Sequence, residues 1–320
     1  MNHILVPLNN MDYLDTFIQA GADEFYMGFY DDEWIQEFGD YAEINRMSGF
    51  KKGANRYSFC EILENIKKIK NKNKSIYITM NSASYSRSKI NKIEYYFKMI
   101  KEAGATGVIV STIQEVELAN KYSLETVAST LCAIYNNFTS NFFKNLGATR
   151  QILPRDISLN EIEDIVKSNP KVRYEVFLMR NGCQFSDSHC LGFHRAEFGS
   201  LCGTLNRASL NIISKEKGFK KRHDIELNNI LYTQYYHHIS ACGLCALYRF
   251  VKMGIYAYKI VGRNDMPEGI CKDIEIVKKN IEIAKKCKSE DEYLEKMLIQ
   301  DRSFIGCKKG LGCYYPEVRF

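Results

Sequence analysis

The stretch SIYITMNSASYSRSKINKIEYYFKMIKEAGATGVIVS, residues 75–111, decides how this chain folds. Ser75 to Asn81 is a short run rich in Ile, Tyr and Thr, the composition of a strand. Ile90, Ile93, Phe97 and Ile100 then recur at helical spacing, and Gly104 stops the helix. GVIVS (107–111) is a second apolar strand. Strand, amphipathic helix, glycine and strand make a βαβ unit, which joins two parallel strands through a helical crossover.

The unit repeats in both directions. Upstream, HILVPL (3–8) reads as a strand, 11–21 as a helix stopped by Gly21, and DEFYMGF (23–29) as the next strand. Ser58-x-x-Glu61 is a capping box opening a helix with Ile62, Ile66 and Ile69 on one face. Downstream come helix 112–122, strand LETVAST (124–130), helix 138–146 ending at Gly147, and strand ATRQILPR (148–155). A second capping box, Ser158-x-x-Glu161, opens a helix burying Leu159, Ile162, Ile165 and Val166, before strand RYEVFLM (173–179). A long stretch without clean alternation follows. Helix 241–253 stops at Gly254, IYAYKIVGR (255–263) is the eighth strand, and a Lys/Glu-rich helix covers 270–300.

Eight strands alternating with helices, and no Gly-x-Gly-x-x-Gly after the first, predict an α/β fold. It is a (β/α)8 TIM-like barrel with a cysteine-bearing insertion between strands seven and eight, preferred over a doubly wound open sheet. The barrel takes residues 1–270 and includes the insertion at 180–245, and 271–320 form a C-terminal helix and a Cys-containing tail. Barrel chemistry sits at the C-terminal strand ends. Those ends carry Pro7, Gly28, Asn81, Ser129, Thr130, Arg155, Arg180 and Arg263.

Composition narrows the class. With 45% hydrophobic residues the chain is neither disordered nor collagenous. No continuous apolar run reaches the ~18 residues of a membrane span. The start, MNHILVPLNNMDYLD, lacks the basic and apolar regions of a secretory signal, so a cytoplasmic location is expected. The net charge of +6 is modest, and its Lys-rich runs at 67–74 and 278–288 read as solvated helix faces.

Eleven cysteines in a reducing compartment point to metal ligands, redox thiols or packing rather than disulfides. Cys183, Cys190 and Cys202 lie among Asn, Gln, Asp, Ser, His and Gly, which is loop chemistry, and Cys242 and Cys245 precede strand eight. Their irregular spacing differs from a zinc ribbon and suits a 4Fe-4S cluster held by four thiolates. His189 and His194 are alternative zinc ligands, read here as loop polar residues. Cys60 and Cys132 read as packing, and Cys271, Cys287, Cys307 and Cys313 as scattered thiols.

Several motifs together resemble the collagenase-like peptidase family U-32. They are GADEFYMG, ITMN, VAST (127–130), GATRQILPRDISLNEI, EVFLMRNGCQFSDSHC and the stretch from Cys242 to YKIVGR. The matches run in order from about residue 4 to 263, and the tail beyond 270 has no clear counterpart in them. The resemblance implies a barrel with a 4Fe-4S cluster on Cys183, Cys190, Cys202 and Cys242, with Cys245 as a rival for the fourth place. It implies oxygen-independent hydroxylation of a small molecule or of RNA, with prephenate as oxygen donor and a second family member as heterodimer partner. Val127, Asp156 and Val261 depart from the family's usual His, Glu and Glu.

An iron–sulfur oxidoreductase or hydroxylase is therefore the leading expectation. Arg155, Arg180 and Arg263 are each suited to pair a carboxylate of a donor such as prephenate, or to form a structural salt bridge. Lys259 alternates with Tyr258 and Ile260 and is expected to point inward, where a lysine is unusual. Arg155, Lys259 and Arg263 are the candidate catalytic residues, and Tyr26, Asn81, Thr130 and Arg180 the candidate substrate contacts. A peptidase ranks second, although no G-x-S-x-G or H-E-x-x-H is present. An RNA-binding or RNA-modifying protein ranks third, on the basic 215–222 loop and the tyrosines.

Overall fold

The computed structural model describes residues 2–183, 186–190, 241–299 and 312–318. Eight parallel strands close into a barrel in chain order. They are β1 (His3–Pro7), β2 (Glu24–Met27), β3 (Ser75–Met80), β4 (Gly107–Val110), β5 (Glu125–Ala128), β6 (Arg150–Ile152), β7 (Arg173–Met179) and β8 (Ala257–Ile260). The closing pair sets Ile4 beside Tyr258 and Leu5 beside Lys259. The predicted (β/α)8 barrel is thus the observed one.

The described helices are α1 (Leu14–Ala20), α2 (Asp32–Phe38), α3 (Phe59–Asn71), α4 (Arg87–Glu102), α5 (Ile113–Lys121), α6 (Asn137–Asn145), α7 (Leu159–Ser168), α8 (Leu247–Met253), α9 (Pro267–Lys286) and α10 (Glu290–Lys296). Both expected capping boxes form: the Ser58 and Ser158 side chains accept from the backbone N–H of Glu61 and Glu161, whose carboxylates accept in return. Thr112 and Glu115 make a third at the start of α5. Each satisfies backbone donors that the first helical turn leaves without partners. The apolar face of each helix lies on the strands. On α3 it is Ile62, Ile66 and Ile69, all fully buried.

Four expectations are corrected. The Lys/Glu-rich segment is two helices, because Cys287 is buried in an extended conformation and Ser289 caps a new helix by accepting from Glu292 N at 3.1 Å. The helix expected over 241–253 becomes α-helical only at Leu247, after a short 3-10 turn at Leu244–Ala246. Cys60 is exposed rather than packed: it follows buried Phe59 by one position, ~100° around the helix. Helix α2 was not foreseen. It buries only one residue, Trp34, and so carries no apolar repeat, yet Asp31 caps it and Gly39 ends it at φ +88°.

Inside the barrel the inward positions are strongly polar. Arg150 on β6 is completely buried, with Nη1 2.6 Å from Glu24 Oε2 of β2 and Nη2 2.8 Å from Glu175 Oε2 of β7. Lys259 Nζ of β8 is 2.9 Å from the other Glu175 oxygen. Two carboxylates and two cations thus meet across the barrel axis. The Arg150 guanidinium is also sandwiched 5.0 Å from the ring centres of Tyr77 and Tyr256. Buried ions in low dielectric hold only when paired, and here two cations face two carboxylates, although Arg150 Nε and Nη2 and Glu175 Oε2 make no hydrogen bond of good geometry.

Candidate active site at the barrel mouth

Strands β2, β3 and β8 bring Tyr26, Thr79 and Lys259 to the upper half of the barrel. Lys259 Nζ lies 4.4 Å above the Tyr26 ring centre, and the Tyr26 hydroxyl donates to Ile260 O at 3.3 Å. Burial pushes the Lys259 ammonium below its ordinary pKa, against the pull of Glu175. Lys259 points inward as expected from its alternation, and its partner is a carboxylate of the chain itself.

Arg263 follows β8 and turns over the mouth. Its Nη1 donates to Asn55 Oδ1 and Thr79 Oγ1, both at 3.0 Å, and its Nη2 to Asn45 Oδ1 at 3.1 Å. Asn45 Nδ2 in turn donates to Asn55 Oδ1 at 3.1 Å. All three acceptors are neutral. Arg263 is only 7% exposed, and burial lowers its pKa to about 10. The backbone of Gly28, just past β2, packs against this group so closely that a Cβ would collide with Arg263 Nη1 and Asn55 Oδ1.

A second cluster holds the cysteine loop. Asp187 lies between Cys183 and Cys190 and is fully buried. Its Oδ2 accepts from Arg155 Nε at 2.7 Å, and its Oδ1 accepts from Arg155 Nη2 at 3.0 Å and from Arg46 Nη1 at 2.6 Å. Burial alone would raise the Asp187 carboxyl, but the two guanidiniums outweigh it and hold it well below the usual carboxylate range. The Arg155 guanidinium also lies 4.1 Å over the Phe177 ring. Asn81 joins this region to β5: its Nδ2 donates to Ser129 Oγ at 3.1 Å, and its Oδ1 accepts from Arg46 N at 3.4 Å. Thr130 is buried at the start of a short 3-10 turn capped by Ser129.

The chain leaves β7 through two consecutive left-handed residues, Arg180 (φ 66°) and Asn181 (φ 45°). That region is costly for residues other than glycine, so surrounding bonds must hold it. Arg180 Nε pairs with Asp273 and its Nη1 lies 3.4 Å from Asp265, while Asn181 Nδ2 donates to Asp265 at 2.9 Å. Arg155 donates to the Asn181 carbonyl, and the Tyr314 hydroxyl to the Arg180 carbonyl. Tyr314 belongs to the C-terminal segment, which lies beside Cys242: Cys242 N donates to Gly312 O at 2.8 Å and Tyr314 N to Cys242 O at 3.0 Å. This sets Cys313 directly opposite Cys242 in a parallel bridge, so Cys313 is not simply a scattered thiol.

The predicted site residues therefore fall into three groups. Arg155, Arg180 and Lys259 are ion-paired to Asp187, Asp273 with Asp265, and Glu175. Tyr26, Asn81, Thr130 and Arg263 sit at strand ends on neutral partners or packed against the barrel wall. Cys183, Cys190 and Cys242 lie around the same mouth, and Cys132 is buried, as its reading as packing expects. Cys202, Cys307, His194 and the basic 215–222 loop lie outside the described residues.

Cysteines next to two guanidiniums sharing one carboxylate suit a cluster of net negative charge. Among the described residues, however, no group of three or more His, Cys, Asp or Glu is spaced to hold a metal ion. Sequence reasoning missed Arg46, Glu24, Arg150 and Glu175. The signal was present, since inward positions on β2, β6 and β7 carry charge where an apolar residue is ordinary. Val127, one of the departures from the family pattern, is buried opposite Arg150. No helix among the described residues is long and apolar enough to cross a membrane.

Known proteins resemble this chain to different extents. An uncharacterized protease, MJ0090, of Methanocaldococcus jannaschii is 29% identical over 178 residues, 56% of this chain and 39% of that protein. The tRNA hydroxylation protein P1 of Bacillus subtilis is 24% identical over 190 residues, 59% of this chain and 41% of that protein. The chain thus spans about two-fifths of the length of these two relatives. The tRNA hydroxylation protein P2 of Bacillus subtilis is 25% identical over 300 residues, 91% of this chain and 88% of that protein. The solved U32 peptidase Mk0906 superposes with TM-score 0.43 and 16% identity over 56% of this chain and 69% of that one. The model of peptidase family U32 matches residues 9–316, so the tail beyond 270 does have a counterpart. With a closed eight-stranded barrel and a family match over nearly its whole length, the chain belongs to peptidase family U32.

Proposed function

We propose that this chain acts in the hydroxylation of transfer RNA, working at the mouth of the barrel. The observation that carries the reading is the near end-to-end match to tRNA hydroxylation protein P2, over 91% of one chain and 88% of the other. Cys183, Cys190, Cys202 and Cys242 would hold a 4Fe-4S cluster. When bound, such a cluster supplies redox and Lewis-acid chemistry. The chain's own part is positional. Asp187, gripped by Arg46 and Arg155, holds the Cys183–Cys190 loop against the strand ends, and the polar ladder beneath closes the barrel floor. Prephenate as oxygen donor, a second family member as partner and a cytoplasmic location belong to the same proposal.

The test is deletion of the gene in its host, followed by mass spectrometry of total tRNA nucleosides. One hydroxylated nucleoside should be replaced by its counterpart lacking one oxygen, and the chain with Cys183→Ala should fail to restore it. An unchanged nucleoside profile would overturn the reading. Anaerobic purification with iron and sulfide analysis tests the cluster separately: about four irons are expected, and a colourless protein holding one zinc removes it from the proposal.

A peptidase is the second reading, favoured by one contact. Ser186 Oγ lies 3.1 Å from His189 Nδ1, within nucleophile-to-base distance. Casein or gelatin hydrolysis that is lost in Ser186→Ala would support it, and no hydrolysis would end it.

A further inference from the structure

The cations of the barrel are not treated alike. Arg150, Arg155, Arg180 and Lys259 each meet a carboxylate of the chain. Arg263 meets none among the described residues, although it is as deeply buried as Lys259. A buried cation without a counter-charge is costly. Its three hydrogen bonds use Nη1 twice and Nη2 once, so two of the five guanidinium N–H donors remain, Nε–H among them. Elsewhere in the molecule the Nε and Nη2 edge is the one that grips a carboxylate: Arg155 holds Asp187 this way, and Arg249 holds Glu290 at 2.6 and 2.9 Å.

The surroundings suit an incoming ligand. A cavity of about 270 Å³ at the ends of β1 and β8 is lined by Pro7, Asn9, Gly53, Gly262, Arg263 and Asn264, among others. The two carboxylates on its wall have their own partners, Asp265 on Arg180 and Glu268 on the Tyr13 hydroxyl. Asn45, Asn55 and Thr79 fix the guanidinium through Nη1 and Nη2, and the backbone of Gly28 packs tightly against Nη1. A fixed fork is what bidentate recognition of an oxyanion requires.

We propose that Arg263 is the receptor for an oxyanion, the carboxylate or phosphate of a small organic acid, bound in the cavity between the β1 and β8 ends. It deepens the donor part of the reading above, since prephenate is a small organic acid, and its binding test succeeds or fails apart from tRNA hydroxylation. The ligand supplies the counter-charge that the chain provides for its other buried cations and withholds here.

Calorimetric titration of the full chain with succinate, and separately with inorganic phosphate, tests this, with chloride keeping the ionic strength constant. Saturable binding of at least one is expected, and the two arms distinguish carboxylate from phosphate. Arg263→Gln should weaken it at least ten-fold, and Arg263→Lys, which keeps the charge but loses the fork, should weaken it less. Asn45→Asp covers the case in which the Arg263 variants do not fold. It supplies an internal carboxylate to the guanidinium, so it should abolish binding while the thermal midpoint holds or rises. A natural chain that binds neither probe would overturn the proposal, as would binding that survives Arg263→Gln or Asn45→Asp.

Discussion

The floor and the mouth of this barrel use the same residue types to opposite effect. On the floor, Arg150 faces Glu24 and Glu175, Lys259 reaches Glu175 from the upper half, and every charge is answered within a few ångströms. At the mouth, two arginines share the single Asp187, and Arg263 rests on two amides and a hydroxyl. The excess of positive charge therefore lies where a ligand can approach. Charges that only build the barrel are balanced internally, whereas at the mouth two guanidiniums divide one carboxylate and Arg263 is held by neutral groups alone.

Breaking the floor should cost most. Arg150→Met leaves two buried carboxylates with one cation, and a loss of about 3–5 kcal/mol in urea unfolding is expected. A loss below about 1 kcal/mol would show that the floor is not a matched set. At the mouth, Asp187→Asn should cost about 3 kcal/mol, since it removes charge-assisted bonds to both Arg46 and Arg155. The sign of its pH dependence follows from its low pKa. The stabilisation by Asp187 is complete above the unfolded value of 3.8 and is lost as pH falls below it, so the Asn variant should lack that part of the acid sensitivity. Limited proteolysis of Asp187→Asn should cut first in the Cys183–Cys190 loop and leave the barrel intact.

Gly28→Ala asks whether the mouth depends on the close approach to Arg263. The added methyl has nowhere to go, and about 1–2 kcal/mol of destabilisation is expected. An unchanged melting curve would mean that Arg263 moves easily. The smallest effect concerns the buried carboxylate at the start of α5. Burial pushes the Glu115 carboxyl up to about 8, with Oε1 left without a hydrogen bond. Its folded form therefore holds a proton that the unfolded form releases near 4.5, and stability should fall as pH rises between those values. Glu115→Gln should cost about 1 kcal/mol at pH 5, because it buries an amide donor where Oε1 has no partner, and should lose this slope. A slope that persists in the variant assigns it to another group.

Much of the fold was legible because helices and strands carry their own periodicity. Gly21, Gly104, Gly147 and Gly254 end α1, α4, α6 and α8 or follow them closely, all at positive φ. Helix α2 and the break at Cys287 were not legible, since one buried residue and one local extension leave no periodic trace. Of the candidate site, the strand-end arginines and the thiols were visible as residue types at the right places. Which arginine had a partner was not visible, because Asp187, Asp265 and Asp273 come from distant parts of the chain.

Local patterns and ordered motifs carried the alternation of strand and helix, the eight repeating units and the family. How charge is shared emerged only from the folded chain. Pairing across the barrel joins residues such as Glu24 and Arg150, 126 positions apart, and no spacing along the chain records which cation is left for a ligand.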